Sequence, residues 1–396
     1  MNLEQARNID QQCIVGTYPR SQVLFTGGQG ATLFDQAGKR YLDMTAGIAV
    51  TALGHGNPAL VKAIQGQVEQ LIHVSNLYYT EPQMALAKSL VEASFADKVF
   101  FTNSGSEANE TAFKFARKWA KETRGDRKDQ VLAFTGSFHG RSMGALSLTY
   151  KSAYRDPFEP LIQGVSFAPF NDVAALEESI SDRTYAVFVE PVQGEGGVRP
   201  ASKTFMQRLR ELCDQHEALL IFDEVQCGLG RTGQLWAHQW YGIEPDVMTL
   251  AKPLAGGLPI GVTLVRDRVS SAIDIGDHGS TFGGGPVVCR AGLVSLEEIS
   301  RKNFLDQVKQ RGAELKSALS ELPSSAVREV RGHGLLVGLE LDRPVRPILE
   351  KALAQGLLII NAGENVIRLC PPLTITSAQI NQAVETIADC LGNLDG

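Results

Sequence analysis

Leu219-Leu220-Ile221-Phe222-Asp223-Glu224-Val225-Gln226 sets four apolar residues directly before an acid. A short apolar run of this kind reads as a strand buried on both faces, the type found in parallel sheets covered by helices. In an open sheet of that type, functional groups collect beyond the carboxyl ends of the strands, which is where Asp223 falls. The next such run, Val247-Met248-Thr249-Leu250, leads through Ala251 to Lys252 and then into Pro253-Leu254-Ala255-Gly256-Gly257. Most lysines are solvated; this one ends an apolar strand and enters a glycine-rich turn. Partial burial near other cations lowers an amine's pKa and makes it a nucleophile toward an aldehyde.

Working outward, further apolar runs stand at Val99–Phe101, Val131–Phe134 and Ala186–Val189, separated by helical patterns. Pro58 precedes Leu60, Val61, Ile64, Val68 and Leu71 at helical spacing, so a helix begins there. Upstream, glycines punctuate short extended pieces at Ala31–Phe34 and Tyr41–Leu42. From about Ala291 long helical periods (Asn303 to Leu322, Ser377 to Leu391) bracket strands at Gly334–Leu341, Leu357–Ile360 and Val366–Leu369. The pattern predicts an α/β fold with a mostly parallel sheet in a large domain, residues 56–290. A smaller α+β domain follows at 291–396, and an N-terminal segment, 1–55, packs with it.

Composition narrows the function. A formal net charge of −6 over 396 residues argues against a nucleic-acid or anionic-membrane partner, which calls for clustered Lys and Arg. It leaves room for a local basic pocket that takes a small anion. Six scattered cysteines include no C-x-x-C pair, so neither a zinc site nor a dithiol redox site is signalled and no metal is expected. No apolar run approaches the ~20 residues that span a bilayer, and no apolar run behind a basic start marks a secretory signal. The expectation is a soluble cytoplasmic protein.

Two glycine motifs need separating. Asn103-Ser104-Gly105-Ser106-Glu107-Ala108-Asn109 follows one apolar run and precedes a long helical pattern. Ser104 and Glu107 have capping-box spacing, and a helix N-terminus beside a glycine can hold a phosphate; a plain helix cap accounts for the same residues. Gly228-Leu229-Gly230-Arg231-Thr232-Gly233 matches the dinucleotide fingerprint, but its context is wrong. The preceding strand already ends at Asp223, no convincing helix opens after Gly233, and Glu244 and Asp246 come too soon to serve as the ribose acid. Asp223 itself fits either a structural acceptor or a partner for a protonated pyridine nitrogen, which keeps such a ring an electron sink.

Taken in order, N-S-G-S-E-A-N (Asn103–Asn109), F-H-G-R (Phe138–Arg141), E-P-V-Q-G-E-G-G (Glu190–Gly197), F-D-E-V-Q-C-G-L-G-R-T-G (Phe222–Gly233), L-A-K (Leu250–Lys252) and H-G-S-T-F-G-G (His278–Gly284) resemble the class-III, ornithine-type, aminotransferases of fold-type I. The resemblance runs from about Gly47 to Pro372. It implies pyridoxal 5′-phosphate (PLP) as cofactor, attached through its aldehyde to Lys252, which also acts as general base. It implies Gly105 and Ser106 at the phosphate, Phe138 and Val225 on opposite ring faces, Asp223 at the ring nitrogen and Gln226 near the phenolic oxygen, with Glu224 grouped among the cofactor contacts. Thr281 would reach the phosphate of a neighbouring subunit, which implies a homodimer, and Ser280 would border the substrate.

The resemblance also sets the substrate class. Guanidinium forks match carboxylates through two parallel N–H donors, although a surface salt bridge is the ordinary role of any single arginine. Arg368 would take the α-carboxylate of glutamate or 2-oxoglutarate and Arg141 the distal one, while Glu195 would pair with Arg368 when the donor has no carboxylate beside its reacting amine. Within the family, Thr45–His55 and His73–Tyr79 look most like the acetylornithine group, since the tyrosine that receives free ornithine is missing from Gly47–Ala49. That implies N2-acetyl-L-ornithine as donor and 2-oxoglutarate as acceptor, within arginine biosynthesis. Succinylornithine, succinyldiaminopimelate, ornithine or 4-aminobutyrate are the alternatives within the family, and an aminomutase is the alternative outside transamination. Gly56-Asn57-Pro58 and Gly285 depart from the family pattern of Cys-His-Pro and asparagine at these places.

Overall fold

The computed structural model describes residues 1–392. Its centre is a seven-stranded sheet in the order Lys98–Thr102, Gly261–Val265, Val247–Leu250, Leu219–Asp223, Thr184–Val189, Gln130–Phe134, Val165–Ala168. Every neighbouring pair is parallel except those made by Gly261–Val265, which runs antiparallel to both of its neighbours. Thr184–Val189 and Leu219–Asp223 are buried along their whole length, as the continuous apolar runs require. Phe188, Phe205 and Phe222 are fully buried between sheet and helices; truncating any one to alanine costs about 3–5 kcal/mol.

The 20-residue helix Gly105–Arg124 lays Ala112, Phe113, Ala116 and Trp119 on one face of the sheet, and Lys203–Gln215 lays Phe205, Met206, Leu209 and Leu212 on the other. Two four-stranded sheets and a two-stranded ribbon, Val192–Gln193 with Arg199–Pro200, complete the fold. One four-stranded sheet is antiparallel, in the order Val327–His333, Leu336–Leu341, Val366–Leu369, Ile360–Asn361. The other joins Phe25–Gln29, Thr32–Asp35 and Arg40–Asp43 to Leu357–Leu358, so N-terminal strands share a sheet with a C-terminal one.

Three details differ from the sequence reading. The stretch Leu357–Ile360 is not one strand: Leu357–Leu358 pairs with Arg40–Asp43, and Ile360–Asn361 pairs with Val366–Leu369. The boundary drawn at 290/291 falls inside the continuous helix Pro286–Ser300, and one apolar core runs from Leu86 and Leu254 through Ile299 to Val337 and Ile387. Third, Val165–Ala168, Gly261–Val265 and Val327–His333 are strands with no counterpart among the expected ones.

Candidate active site

The parallel strands end on one edge of the central sheet, and the residues singled out in sequence gather there. Asp223, the last residue of its strand, is opposite Thr249 in the next one. Its Oδ2 accepts hydrogen bonds from Asn109 Nδ2 and His139 Nδ1, both at 2.7 Å, and its Oδ1 accepts from the Val225 N–H at 3.0 Å. Thr249 Oγ1 in turn donates to Asn109 Oδ1 at 2.8 Å. Burial works against charge on His139, but the hydrogen bond and charge of Asp223 overcome it and raise the imidazole's pKa. Glu190, just past the strand Thr184–Val189, is buried and accepts from the N–H groups of Phe138 and Gly194. Burial pushes its pKa up to about 7.

Lys252 lies at the end of the strand Val247–Leu250, within electrostatic reach of Asp223, Glu195, Glu190 and Arg368. Burial lowers its pKa, and the three carboxylates partly offset that. No hydrogen bond to its amine is formed among the described residues. A lysine held this way is more readily neutral, which a nucleophile and proton acceptor requires.

Gly105 and Ser106 open the long helix. Ser104 caps it, its Oγ accepting from Glu107 N–H at 3.2 Å, while Glu107 reaches back one residue beyond the cap, to the Asn103 N–H at 2.8 Å. Ser106 Oγ accepts from the N–H groups of Arg141 and Ser142, both at 3.1 Å, tying the Phe138–Arg141 segment to the helix start. A Cβ on residue 105 would lie 2.6 Å from Val225 Cγ1, so the helix N-terminus and Val225 approach this closely only because residue 105 is glycine.

Arg368 is 3% exposed. Its Nη1 donates to Glu195 Oε1 at 2.5 Å and to Gln226 Oε1 at 3.0 Å, and its Nη2 to the Asn361 carbonyl at 3.3 Å. Nε is buried without a partner. Arg141 is exposed, with its guanidinium 3.5 Å from the centre of the Tyr154 ring, and it pairs with no carboxylate among the described residues. Ser280 Oγ accepts from Asn103 Nδ2 at 3.2 Å, while Thr281 beside it is exposed.

Glu224 is placed differently from its neighbours. Both of its oxygens accept backbone N–H groups, from Ala237 at 2.6 Å and His238 at 2.8 Å. Its carboxylate is therefore committed to the loop that follows, and burial pushes its pKa up to about 8. Sequence reasoning assigned no role to Asn109, His139, Glu190 or Tyr154. Asn109, His139 and Glu190 lie inside quoted motifs, so only their burial together was illegible; Tyr154 carried no signal. Also unforeseen is the turn at Ala46–Ala49, where four successive residues take left-handed φ values of 48°, 63°, 65° and 64°. Only Gly47 takes such a conformation without strain. Asp43 Oδ1 steadies the turn by accepting from the N–H groups of Thr45 and Ala46.

A buried acid, a half-buried lysine and an open helix N-terminus on one sheet edge are the parts that a phosphorylated aromatic aldehyde needs. The comparisons agree. The class-III aminotransferase family model matches residues 17–391. A mitochondrial acetylornithine aminotransferase of Alnus glutinosa is 52% identical over 96% of this chain and 86% of its own length. The N-acetylornithine aminotransferase structure from Stenotrophomonas maltophilia superposes with a TM-score of 0.85 at 37% identity, covering 98% of this chain and 99% of that one. The ornithine aminotransferase of Toxoplasma gondii superposes at 0.95 with 31% identity, covering 100% and 96%.

The chain belongs to the class-III aminotransferases. These enzymes depend on PLP, and the residues present fit that group: Asp223 for the ring nitrogen, Lys252 for the aldehyde, and the N–H groups of Gly105 and Ser106 for the phosphate, neither of which has an acceptor among the described residues. Among the described residues no group of three or more His, Cys, Asp and Glu is arranged to hold a metal, and no helix is long and apolar enough to cross a membrane.

Proposed function

We propose that this protein transfers the terminal amine of N2-acetyl-L-ornithine to 2-oxoglutarate, giving N-acetyl-L-glutamate 5-semialdehyde and L-glutamate, as a step of arginine biosynthesis. The observation that carries the reading is the Arg368–Glu195 ion pair at 2.5 Å beside Lys252. An amine donor whose reacting carbon bears no carboxylate leaves that pair closed. 2-Oxoglutarate brings a carboxylate to the same place and displaces Glu195 from the guanidinium. One pocket thereby serves two unlike substrates. The relatives named for acetylornithine support the donor, as does the lack of a tyrosine at Gly47–Ala49.

When bound, PLP supplies an electron sink for the pair left on the substrate carbon. The protein's own residues do the rest. Asp223 holds a proton at the ring nitrogen, braced by His139 and Asn109. Lys252 takes the proton from the carbon that bears the donor's terminal nitrogen and delivers it across the C–N bond. Phe138 and Val225 would hold the ring, and Arg141 would hold the carboxylate at the far end of either substrate. Ser280 borders the substrate, and Gln226 divides its amide between Arg368 and the phenolic side.

A second copy of the chain completes the site in this reading. Ile72, Leu77, Tyr78, Tyr79 and Phe282 are exposed, Phe282 lies 5.3 Å from the ring of His73, and Thr281 adjoins them. That apolar face continues to Ser280 and Asn103 at the phosphate cradle, so a partner seated on it receives Thr281 at its own cofactor phosphate. Sedimentation of the holoenzyme tests the dimer, and a monomer at micromolar concentration would refute it. A cytoplasmic location rests on six free cysteines, five of them buried, which suit a reducing compartment; fractionation of the producing cell checks it.

The donor is tested by comparing kcat/KM for N-acetylornithine and ornithine at one pH with saturating 2-oxoglutarate. Free ornithine brings an α-ammonium close to the Arg141 cation, and like charges held together disfavour each other. The acetylated donor should therefore win by a wide margin. Equal or better use of ornithine would replace this reading with the ornithine or 4-aminobutyrate alternative.

A further inference from the structure

The loop Gly228–Gly233 matches a dinucleotide fingerprint in sequence, yet its arginine points into the protein. Arg231 is 1% exposed. Its Nη1 donates to the carbonyls of Leu335 at 3.0 Å and Pro371 at 2.5 Å, and its own carbonyl accepts from the Leu335 N–H at 3.0 Å. Nε and Nη2 are buried without partners, and no carboxylate pairs with the guanidinium among the described residues. Burial lowers its pKa to about 10. An unpaired buried cation is costly, and an apolar side chain of similar length would fill the space at lower cost. What an apolar side chain cannot do is hold two backbone carbonyls from different segments with one planar group.

Those two segments both lead to Arg368. Pro371 is three residues beyond it. Leu335 immediately precedes the strand Leu336–Leu341, in which Gly338 lies opposite Arg368. The loop is seated tightly from the other side as well: Gly334 has φ +52°, and a Cβ there would lie 2.4 Å from the Thr232 carbonyl carbon and 2.7 Å from the Arg231 oxygen. At its near end the loop continues from Asp223. Arg231 thus joins the segment that carries the ring-nitrogen acid to the sheet that carries the carboxylate-binding arginine.

We propose that Arg231 is a positioning residue for recognition of the acceptor's α-carboxylate: without touching substrate, it fixes Arg368 relative to the loop that follows Asp223. The inference rests on the reading of Arg368 as the acceptor's carboxylate site. Displacement of a binding group by about 1 Å costs on the order of 10²-fold, and a loss of that size is expected in the acceptor half-reaction alone.

The experiment uses PLP-loaded wild type, Arg231→Met, Arg231→Lys, Gly334→Ala and Arg368→Lys. Single-turnover kinetics follow each half-reaction, and calorimetry measures affinity for glutarate, a dicarboxylate that cannot react. Arg231→Met and Gly334→Ala should weaken 2-oxoglutarate and glutarate together, leave the amine half-reaction and the cofactor absorbance near wild type, and Arg231→Lys should recover part of the loss. Equal losses in both halves, or unchanged glutarate affinity, would overturn the proposal. If Arg231→Met or Gly334→Ala does not fold, Arg231→Lys, which keeps the charge and most of the length, decides by the same criterion. An Arg368→Lys variant with an intact acceptor half would defeat the reading of Arg368 itself. An impaired Arg368→Lys beside unimpaired Arg231 and Gly334 variants would defeat only the positioning role.

Discussion

His139 Nδ1 lies 2.7 Å from Asp223 Oδ2, with the imidazole closed to solvent and the carboxylate nearly so. Asn109 binds the same oxygen and Val225 N–H the other, so the acid is fixed in orientation before any ligand arrives. Preorganised charge of this kind costs no reorganisation at the moment of reaction. Asp223→Ala should retain some cofactor but lose on the order of 10²–10⁴-fold in turnover, the range for a lost proton-handling group. Steady-state kinetics at saturating substrates check this; activity near wild type would rule out the pairing with the ring nitrogen.

Lys252 is expected to carry the cofactor and to move the proton. Lys252→Ala should abolish transamination while leaving the fold intact, since the lysine's amine makes no hydrogen bond among the described residues. Borohydride treatment of the holoenzyme followed by peptide mapping should mark Lys252. A mark on any other lysine would contradict the assignment.

Arg368 should matter to one half of the reaction. Replacing it with alanine leaves Glu195 without its 2.5 Å partner, and the loss should fall on 2-oxoglutarate far more than on the amine donor. Rapid-mixing measurements of each half separate the two. Equal losses would count against the switch between Glu195 and substrate carboxylate.

Glu224 gives a pH signature. Its pKa is raised to about 8 by burial, against an ordinary carboxylate value near 4.3 in the unfolded chain. Between those values the folded state binds the proton more tightly, so the contribution of Glu224 to stability is greatest at low pH and is lost as pH rises toward about 8. Glu224→Gln cannot titrate, and its melting temperature should fall less steeply than wild type from pH 5 to pH 8. The variant should keep its cofactor, because the carboxylate serves Ala237 and His238. Parallel pH slopes for the two proteins would show that Glu224 is ionised throughout.

Several features were legible in the chain because they depend on near neighbours. Runs such as Leu219–Phe222 and Val247–Leu250 are apolar throughout, and each became an interior strand of the central sheet. Asp223 and Lys252 are the chemistry-bearing residues where those runs end, and both lie at the carboxyl edge of the sheet. The six ordered motifs carried the family. Gly261–Val265 is not legible in the chain because its run follows a glycine- and proline-rich turn, and nothing local announces a strand antiparallel to both of its neighbours.

The rest belongs to contacts between residues far apart in sequence. Leu357–Ile360 reads as one strand, yet its halves hydrogen-bond to different sheets, because the partners Arg40–Asp43 and Val366–Leu369 stand on either side of it. Helix Pro286–Ser300 crosses the boundary drawn at 290/291 because it packs on the helices Pro58–Val68 and Glu81–Glu92 while leading into Lys302–Ser320. The residue types at Asp223, Lys252 and Arg368 were fixed by the sequence itself. That His139 backs Asp223, that Glu195 closes on Arg368, and that Arg231 turns inward to hold Leu335 and Pro371 were decided only by folding. A hydrogen bond depends on distance and direction in space, and residues 84, 173 or 140 positions apart along the chain acquire neither until the sheets pack.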